Sequence, residues 1–237
     1  MLANNNEAII NKLAKNSVKT NKKQYAILFF TIILSAFMLF CVFTIGMTYL
    51  NSSRLQNTRL NGAEYDIVTM NGFTSEQLNT LQQNENIRSV GIESYAGFIQ
   101  STEYDKTVEI GLLWCDEVFW DNLMSPARTK LDGHYPQNKN ELMVTKDILK
   151  TCGNENLSVG DSLILTYENN TGVYTDEFVI SGIWDGYGDT SAGFVSKAFY
   201  DETGYDLKNN GILCIKLNCN YVFPTTIQSI EKSLDFS

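Results

Sequence analysis

Polar and apolar residues follow three different rhythms along the chain, and the changes of rhythm divide it. The run Tyr25 to Leu50, YAILFFTIILSAFMLFCVFTIGMTYL, does not alternate at all: 26 residues carry no charge, no proline and one glycine, Gly46. As a helix rising about 1.5 Å per residue it reaches about 39 Å, more than the roughly 30 Å of a bilayer's hydrocarbon core. It predicts a transmembrane helix over residues 24–50, with Tyr25 and Tyr49 at the two interfaces, where amphipathic rings are favoured. A cleaved signal sequence would need an apolar stretch of only about 7–15 residues and an A-x-A-like cleavage site, and neither is present.

Residues 1–23 follow helical spacing instead. With Ile9 as zero and 100° per residue, Leu13, Ser17, Ile10 and Ala14 fall between about 40° and 140°. Lys12, Lys15, Lys19, Lys22 and Lys23 fall together between about 220° and 320°. The pattern predicts a basic amphipathic helix along the membrane interface, its lysines near anionic headgroups of the membrane lipid. Only Arg54 and Arg59 follow closely after the apolar run, so the positive-inside bias places the N-terminus in the cytoplasm and residues 51–237 outside.

In residues 51–237 short alternating strands mix with short helices. Glu64 to Met70, Val90 to Gln100, Lys106 to Leu113, Ser162 to Glu168, Glu177 to Trp184, Gly193 to Ser196 and Ile212 to Leu217 read as strands. Thr74-Ser75-Glu76-Gln77 is a capping box opening a helix to about Gln83. Asp116 to Met124, a turn at Lys197 to Glu202 and Thr225 to Leu234 read as further helices, and Asn169-Asn170-Thr171-Gly172 as a hairpin turn. No regular βαβ beat appears, so the fold class is α+β: one transmembrane helix followed by a mixed domain.

Charge sharpens this division. The whole chain of 237 residues has a formal net charge of -9, an average that hides +4 in residues 1–23 and -13 in residues 54–237. The acidic bulk excludes nucleic acid as a partner, since phosphate binding needs a basic surface. With 43% hydrophobic and 12% aromatic residues the chain is not disordered. An acidic surface of this kind first of all keeps a domain soluble.

Catalytic chemistry finds little to work with. There is no G-x-x-x-x-G-K-[ST], hence no P-loop for ATP. His134 is the only histidine and sits in the turn-like Asp132-Gly133-His134-Tyr135-Pro136, which leaves no H-E-x-x-H zinc site and no good triad. Asp185-Gly186-Tyr187-Gly188-Asp189 lacks the spacing of a calcium loop. No enzyme, cofactor or metal site is expected. Cys41 belongs to the apolar run, while Cys115, Cys152, Cys214 and Cys219 lie in the exterior domain, where disulfides are chemically allowed and three pairings are open.

Two stretches together resemble the permease subunits of MacB/FtsX-type ABC transporters. The first is Leu13 to Gly46: a basic amphipathic helix, the step Thr20-Asn21-Lys22-Lys23, then a long aliphatic transmembrane helix. The second is a succession of pattern residues in order. Gly133, Tyr135 and Pro136 form a "G-x-Y-P" turn, Asn140-Glu141 opens an "N-E-hydrophobic" strand, Gly160-Asp161 forms a "V-G-D" turn, and Gly182 closes Phe178-Val179-Ile180-Ser181-Gly182-Ile183. The resemblance implies an extracytoplasmic MacB-like domain over 51–237 of a non-enzymatic membrane subunit. It implies a separate cytoplasmic ABC ATPase as partner, a second permease copy or half, and peptides or lipoproteins as the substrate class. The work of ATP hydrolysis would reach the exterior domain for export or mechanotransmission, with the five lysines where membrane and ATPase meet. Such permeases continue with at least three more spans, and nothing after Leu50 is long and apolar enough, so the chain is expected to be the N-terminal part of one. The competing reading is a single-pass anchored sensor or ligand-binding domain, for which about 23 residues inside leave no folded effector.

Overall fold

A computed structural model describes residues 6–100, 110–187, 192–218 and 224–234. The chain forms two compact units, Met1–Leu55 and Gln56–Ser237.

The first unit holds α1 (Asn6–Thr20) and most of α2 (Lys22–Asn61). The chain bends at Asn21, and Ser17 Oγ and Tyr25 Oη share a hydrogen bond of 3.1 Å across the corner. The bend corrects the single lysine stripe: Lys12, Lys15 and Lys19 share α1, whereas Lys22 and Lys23 begin α2. Helix α2 continues through the uncharged run without a break for 40 residues, because no proline removes a backbone donor. Thr31, Ser35 and Thr44 return their hydroxyls to the carbonyls four residues earlier, so these three polar side chains of the run are satisfied inside the helix. Its apolar side chains are exposed: Phe30, Phe40, Val42 and Phe43 each keep more than 60% of their surface. Such a surface calls for lipid rather than water.

The second unit is built on β1 (Ile67–Thr69), β2 (Ile87–Ile99), β3 (Ile110–Cys115), β4 (Arg128–Gly133), β5 (Glu141–Thr145), β6 (Ser162–Asn169), β7 (Gly172–Gly186), β8 (Ala192–Val195) and β9 (Gly211–Leu217). They form one sheet in the order β1-β9-β2-β3-β8-β5-β7-β4, and β6 pairs with both β2 and β7. The pairings therefore close a ring, β2-β3-β8-β5-β7-β6, with β9 and β1 carried outward from β2 and β4 from β7. Ladders are antiparallel except β3 with β8 and β5 with β7. The strand reading of β6 follows from strict alternation: Leu163, Leu165 and Tyr167 are buried and the residues between them exposed.

Helices α3 (Ser75–Gln82), α4 (Lys146–Thr151), α5 (Lys197–Tyr200), α6 (Leu207–Asn210) and α7 (Pro224–Leu234) complete the domain, so it is α+β. Thr74 and Gln77 make the full capping box of α3, and Thr145, Ser196 and Asp206 cap α4, α5 and α6. Two cores result. The larger is mainly aliphatic and includes Leu112, Leu142, Val144, Leu163, Ile180 and Leu213, with Phe178 edge-on to Tyr167 and tilted against Phe199. The smaller is aromatic: Phe119, Trp120, Trp184 and Phe194 pack with Ala63, Leu123, Met143 and Cys214.

Several local expectations change. Only Ile67–Thr69 of the stretch 64–70 is a strand: Asp66 N–H still donates to Ile215 C=O of β9, but Glu64 N–H turns to Leu123 C=O at 2.7 Å, while the Glu64 and Asp66 carboxylates pair with Lys216 at 2.9 and 3.4 Å. The expected helix over 116–124 is a π-type turn, Val118–Leu123, with Met124 N–H bonded to Phe119 C=O. It lies close against β2, since a Cβ on Gly91 would meet the Phe119 backbone at 2.9 Å. Residues 128–133, expected to end in a turn, form β4 against β7, and α4 and α6 were not foreseen. Cys115, Cys152 and Cys214 are free and buried, and Cys219 lies outside the described residues.

Candidate functional site: a carboxylate in an aromatic cleft

The pattern residues gather around one stretch of β7, Val179 to Ile183. Gly160 N–H donates to Ile180 C=O at 2.8 Å, Ile180 N–H to Asp161 C=O at 2.9 Å, and His134 N–H to Ser181 C=O at 2.9 Å. Gly133 has φ of 88°, and a Cβ there would meet Ser181 O at 2.2 Å. Gly182 faces it; a Cβ on Gly182 would meet His134 O at 2.9 Å and Met143 at 3.1 Å. Tyr135 is the bolt of this corner: its hydroxyl accepts from Cys115 N–H at 3.0 Å and lies 3.2 Å from both Cys115 C=O and Val195 C=O. Burial and the neighbouring Cys115 push the Tyr135 phenol well above its usual range. Pro136 is buried beside it. Glu141 accepts from Gln137 N–H at 2.7 Å, Asn138 N–H at 3.1 Å and Asn138 Nδ2 at 2.8 Å, and Asp161 accepts from Ser158 N–H at 2.8 Å. These residues hold backbone to backbone; their polar atoms are spent inside the fold. The basic residues Lys12, Lys15, Lys19, Lys22 and Lys23 are all exposed and belong to the first unit.

Free chemistry lies elsewhere, in a cleft of about 200 Å³ at the margin of the aromatic core. Its walls come from the segment around Gly62 and Tyr65, from Val68 of β1, from Glu93 and Tyr95 of β2, and from Phe119, Trp184 and Phe194 of the aromatic core. Lys216, itself buried, fixes the Tyr65 side of the cleft by its ion pairs to Glu64 and Asp66, while Asp66 also accepts from Leu217 N–H at 2.9 Å. Glu93 is the cleft's one carboxylate, and it makes no hydrogen bond or ion pair with any described residue. Burial without a partner disfavours its charged form and lifts its carboxyl to about 7. Tyr65 and Cys214 beside it are raised as well, Tyr65 by its own burial, then by Cys214 and Glu93, and Cys214 by its own burial, then by Glu93. Trp184 Nε1 is a buried donor with no acceptor. No group of three metal-ligating side chains occurs among the described residues.

The chain is similar in fold to two solved exterior domains. The periplasmic region of MacB from Actinobacillus actinomycetemcomitans aligns over 69% of this chain and 73% of its own, at 13% identity and a TM-score of 0.45. The extracellular domain of the noncanonic ABC-type transporter YknZ from Gram-positive bacteria aligns over 67% of this chain and 78% of its own, at 14% identity and a TM-score of 0.43. No protein-family profile and no curated protein matches the chain.

Sequence reasoning missed Glu93. The signal was present: in Val90-Gly91-Ile92-Glu93-Ser94-Tyr95-Ala96 one acid stands in a mostly apolar stretch of strand. What made it a site, the approach of Tyr65 and the aromatic core from distant parts of the chain, was not.

Proposed function

We propose that the chain is part of the membrane subunit of a MacB/FtsX-type ABC transporter, with its N-terminus cytoplasmic and its α+β domain extracytoplasmic. The observation that carries the reading is α2, one unbroken helix of 40 residues whose first part is apolar and exposed and whose last part, from Asn51, is polar. At about 1.5 Å per residue it measures about 60 Å, twice the hydrocarbon core. A helix that continues past the bilayer without proline or π-bulge is a stiff lever, since those are the usual causes of a kink. The ordered succession of pattern residues from Gly133 to Gly182 supports the same assignment. In this reading a separate cytoplasmic ATPase hydrolyses ATP, the lysines of α1 and the start of α2 meet that ATPase and the anionic headgroups, and movement of α2 reaches the exterior domain. Peptides or lipoproteins are the proposed substrate class.

The test is replacement of Lys12, Lys15, Lys19 and Lys22 by glutamine in the membrane-embedded chain. Labelling of Ser17→Cys and Asn170→Cys by an impermeant maleimide reads topology, and co-purification reads the ATPase partner. Loss of ATPase capture or a mixed topology is expected. If both stay as in the parent chain, the role given to the lysines is wrong.

A further inference from the structure

An unpaired carboxylate in a cleft has two ways to lower its energy: to take up a proton or to receive a cation. Among the described residues no basic side chain supplies that cation to Glu93. Lys216 is engaged by Glu64 and Asp66, and the Arg128 guanidinium lies 4.0 Å above the Trp120 ring. Around Glu93 the cleft is lined by rings, whose negative faces attract cations and whose area favours apolar substituents. A volume of about 200 Å³ is smaller than the roughly 300–1,000 Å³ of sites for drug-sized ligands, so the occupant has few non-hydrogen atoms.

We propose that this cleft binds a small organic ammonium ion, with its charge against Glu93 and its apolar substituents against Tyr65, Tyr95, Phe119, Trp184 and Phe194. A second cavity of the domain does not offer this chemistry. The hollow beside β6 and α5 contains Lys139 and Glu202, which satisfy each other at 2.5 Å, and Asp176, which already accepts from Tyr167 Oη at 2.7 Å. Anions are repelled from the Glu93 cleft by Coulomb's law. A neutral ligand of the same shape gains the ring contacts but not the charge pair. The proposal does not rest on the permease reading, and each can fail alone.

The experiment uses the whole chain in lipid nanodiscs and two probes of equal shape, choline and its uncharged isostere 3,3-dimethylbutan-1-ol, with binding followed by calorimetry and by the carboxyl carbon resonance of Glu93. Choline is expected to bind at least about tenfold more tightly than the alcohol, a difference of one charge pair in a partly desolvated site. It should move the Glu93 titration to lower pH. Glu93→Gln should remove most of that preference while leaving the alcohol's weak binding unchanged. Val68→Trp, at the exposed rim, should block both probes. Equal binding of the two probes, no binding of choline, a Glu93 titration unmoved by choline, or undiminished choline binding by Glu93→Gln or Val68→Trp would each overturn the proposal.

Discussion

The two faces of the sheet solve the same problem with different completeness. The aliphatic face is closed by helices: Leu112, Leu142, Val144 and Ile180 have no exposed surface, and Phe178 is enclosed by Tyr167 and Phe199. The aromatic face is covered only in part, by the π-type turn and the segment around Tyr65, and its edge opens as the cleft that holds Glu93. Close packing resists any change of volume, whereas an incomplete cover leaves room for a carboxylate that a sealed core would reject. The difference teaches where stability and chemistry reside: the sealed face holds the fold together, and the open face carries an unpaired carboxylate in a cleft.

The largest test of the contrast is a pair of truncations. Phe178→Ala is expected to cost about 4 kcal/mol, because the closed face cannot collapse around the void, and Phe119→Ala about 2 kcal/mol, because its cavity merges with an existing cleft. Chemical denaturation of the two variants checks the ratio, and equal losses would erase the distinction between the faces. Next comes Gly133→Ala, which places a methyl group against Ser181 O at a φ of 88° and should cost about 3 kcal/mol. A thermal midpoint within a degree or two of the parent's would show that the β4–β7 corner is not the fixed strap described above.

The smallest expected effect concerns Glu93 and depends on pH. Its folded carboxyl titrates at about 7 instead of the ordinary 4.5, so between those values the native state holds more proton than the unfolded chain. Stability therefore falls as pH rises through that window, and the whole deficit is present above about pH 7. The groups that face Glu93, Tyr65, Cys115, Tyr135 and Cys214, are all shifted upward and stay neutral there. Glu93→Gln should match the parent near pH 4 and exceed it by about 2 kcal/mol at pH 8, the cleft's access to water screening part of the full shift. A gain that does not vary with pH would show that Glu93 is not held in its protonated form by burial.

Local order was largely legible in the chain. The capping box of α3, the alternation of β6 and the hairpin at Asn170-Thr171 depend on residues a few positions apart, and they stand in the structure much as the pattern reads. Where long-range contacts compete, the reading held only in part. The stretch 64–70 alternates like a strand, but only Ile67–Thr69 is one, because Glu64 N–H bonds to Leu123 C=O, nearly sixty residues away in sequence. Asp116 to Met124 has helical spacing, yet packing over Gly91 widens it into a π-type turn.

By itself the sequence determined what needs only composition and near neighbours: an uncharged helix-forming run of membrane length, the division of charge on its two sides, and most of the strands. Tertiary structure alone decided the ring closed by β6, the bend at Asn21 that separates Lys22 and Lys23 from the other lysines, and the conversion of the pattern glycines into a clamp on β7. It also decided that Glu93, one acid among twenty-seven, has no partner among the described residues. The reason is range: hydropathy and backbone preference act over a few residues, but the solvation of a carboxylate depends on every group that folding brings within several ångströms of it.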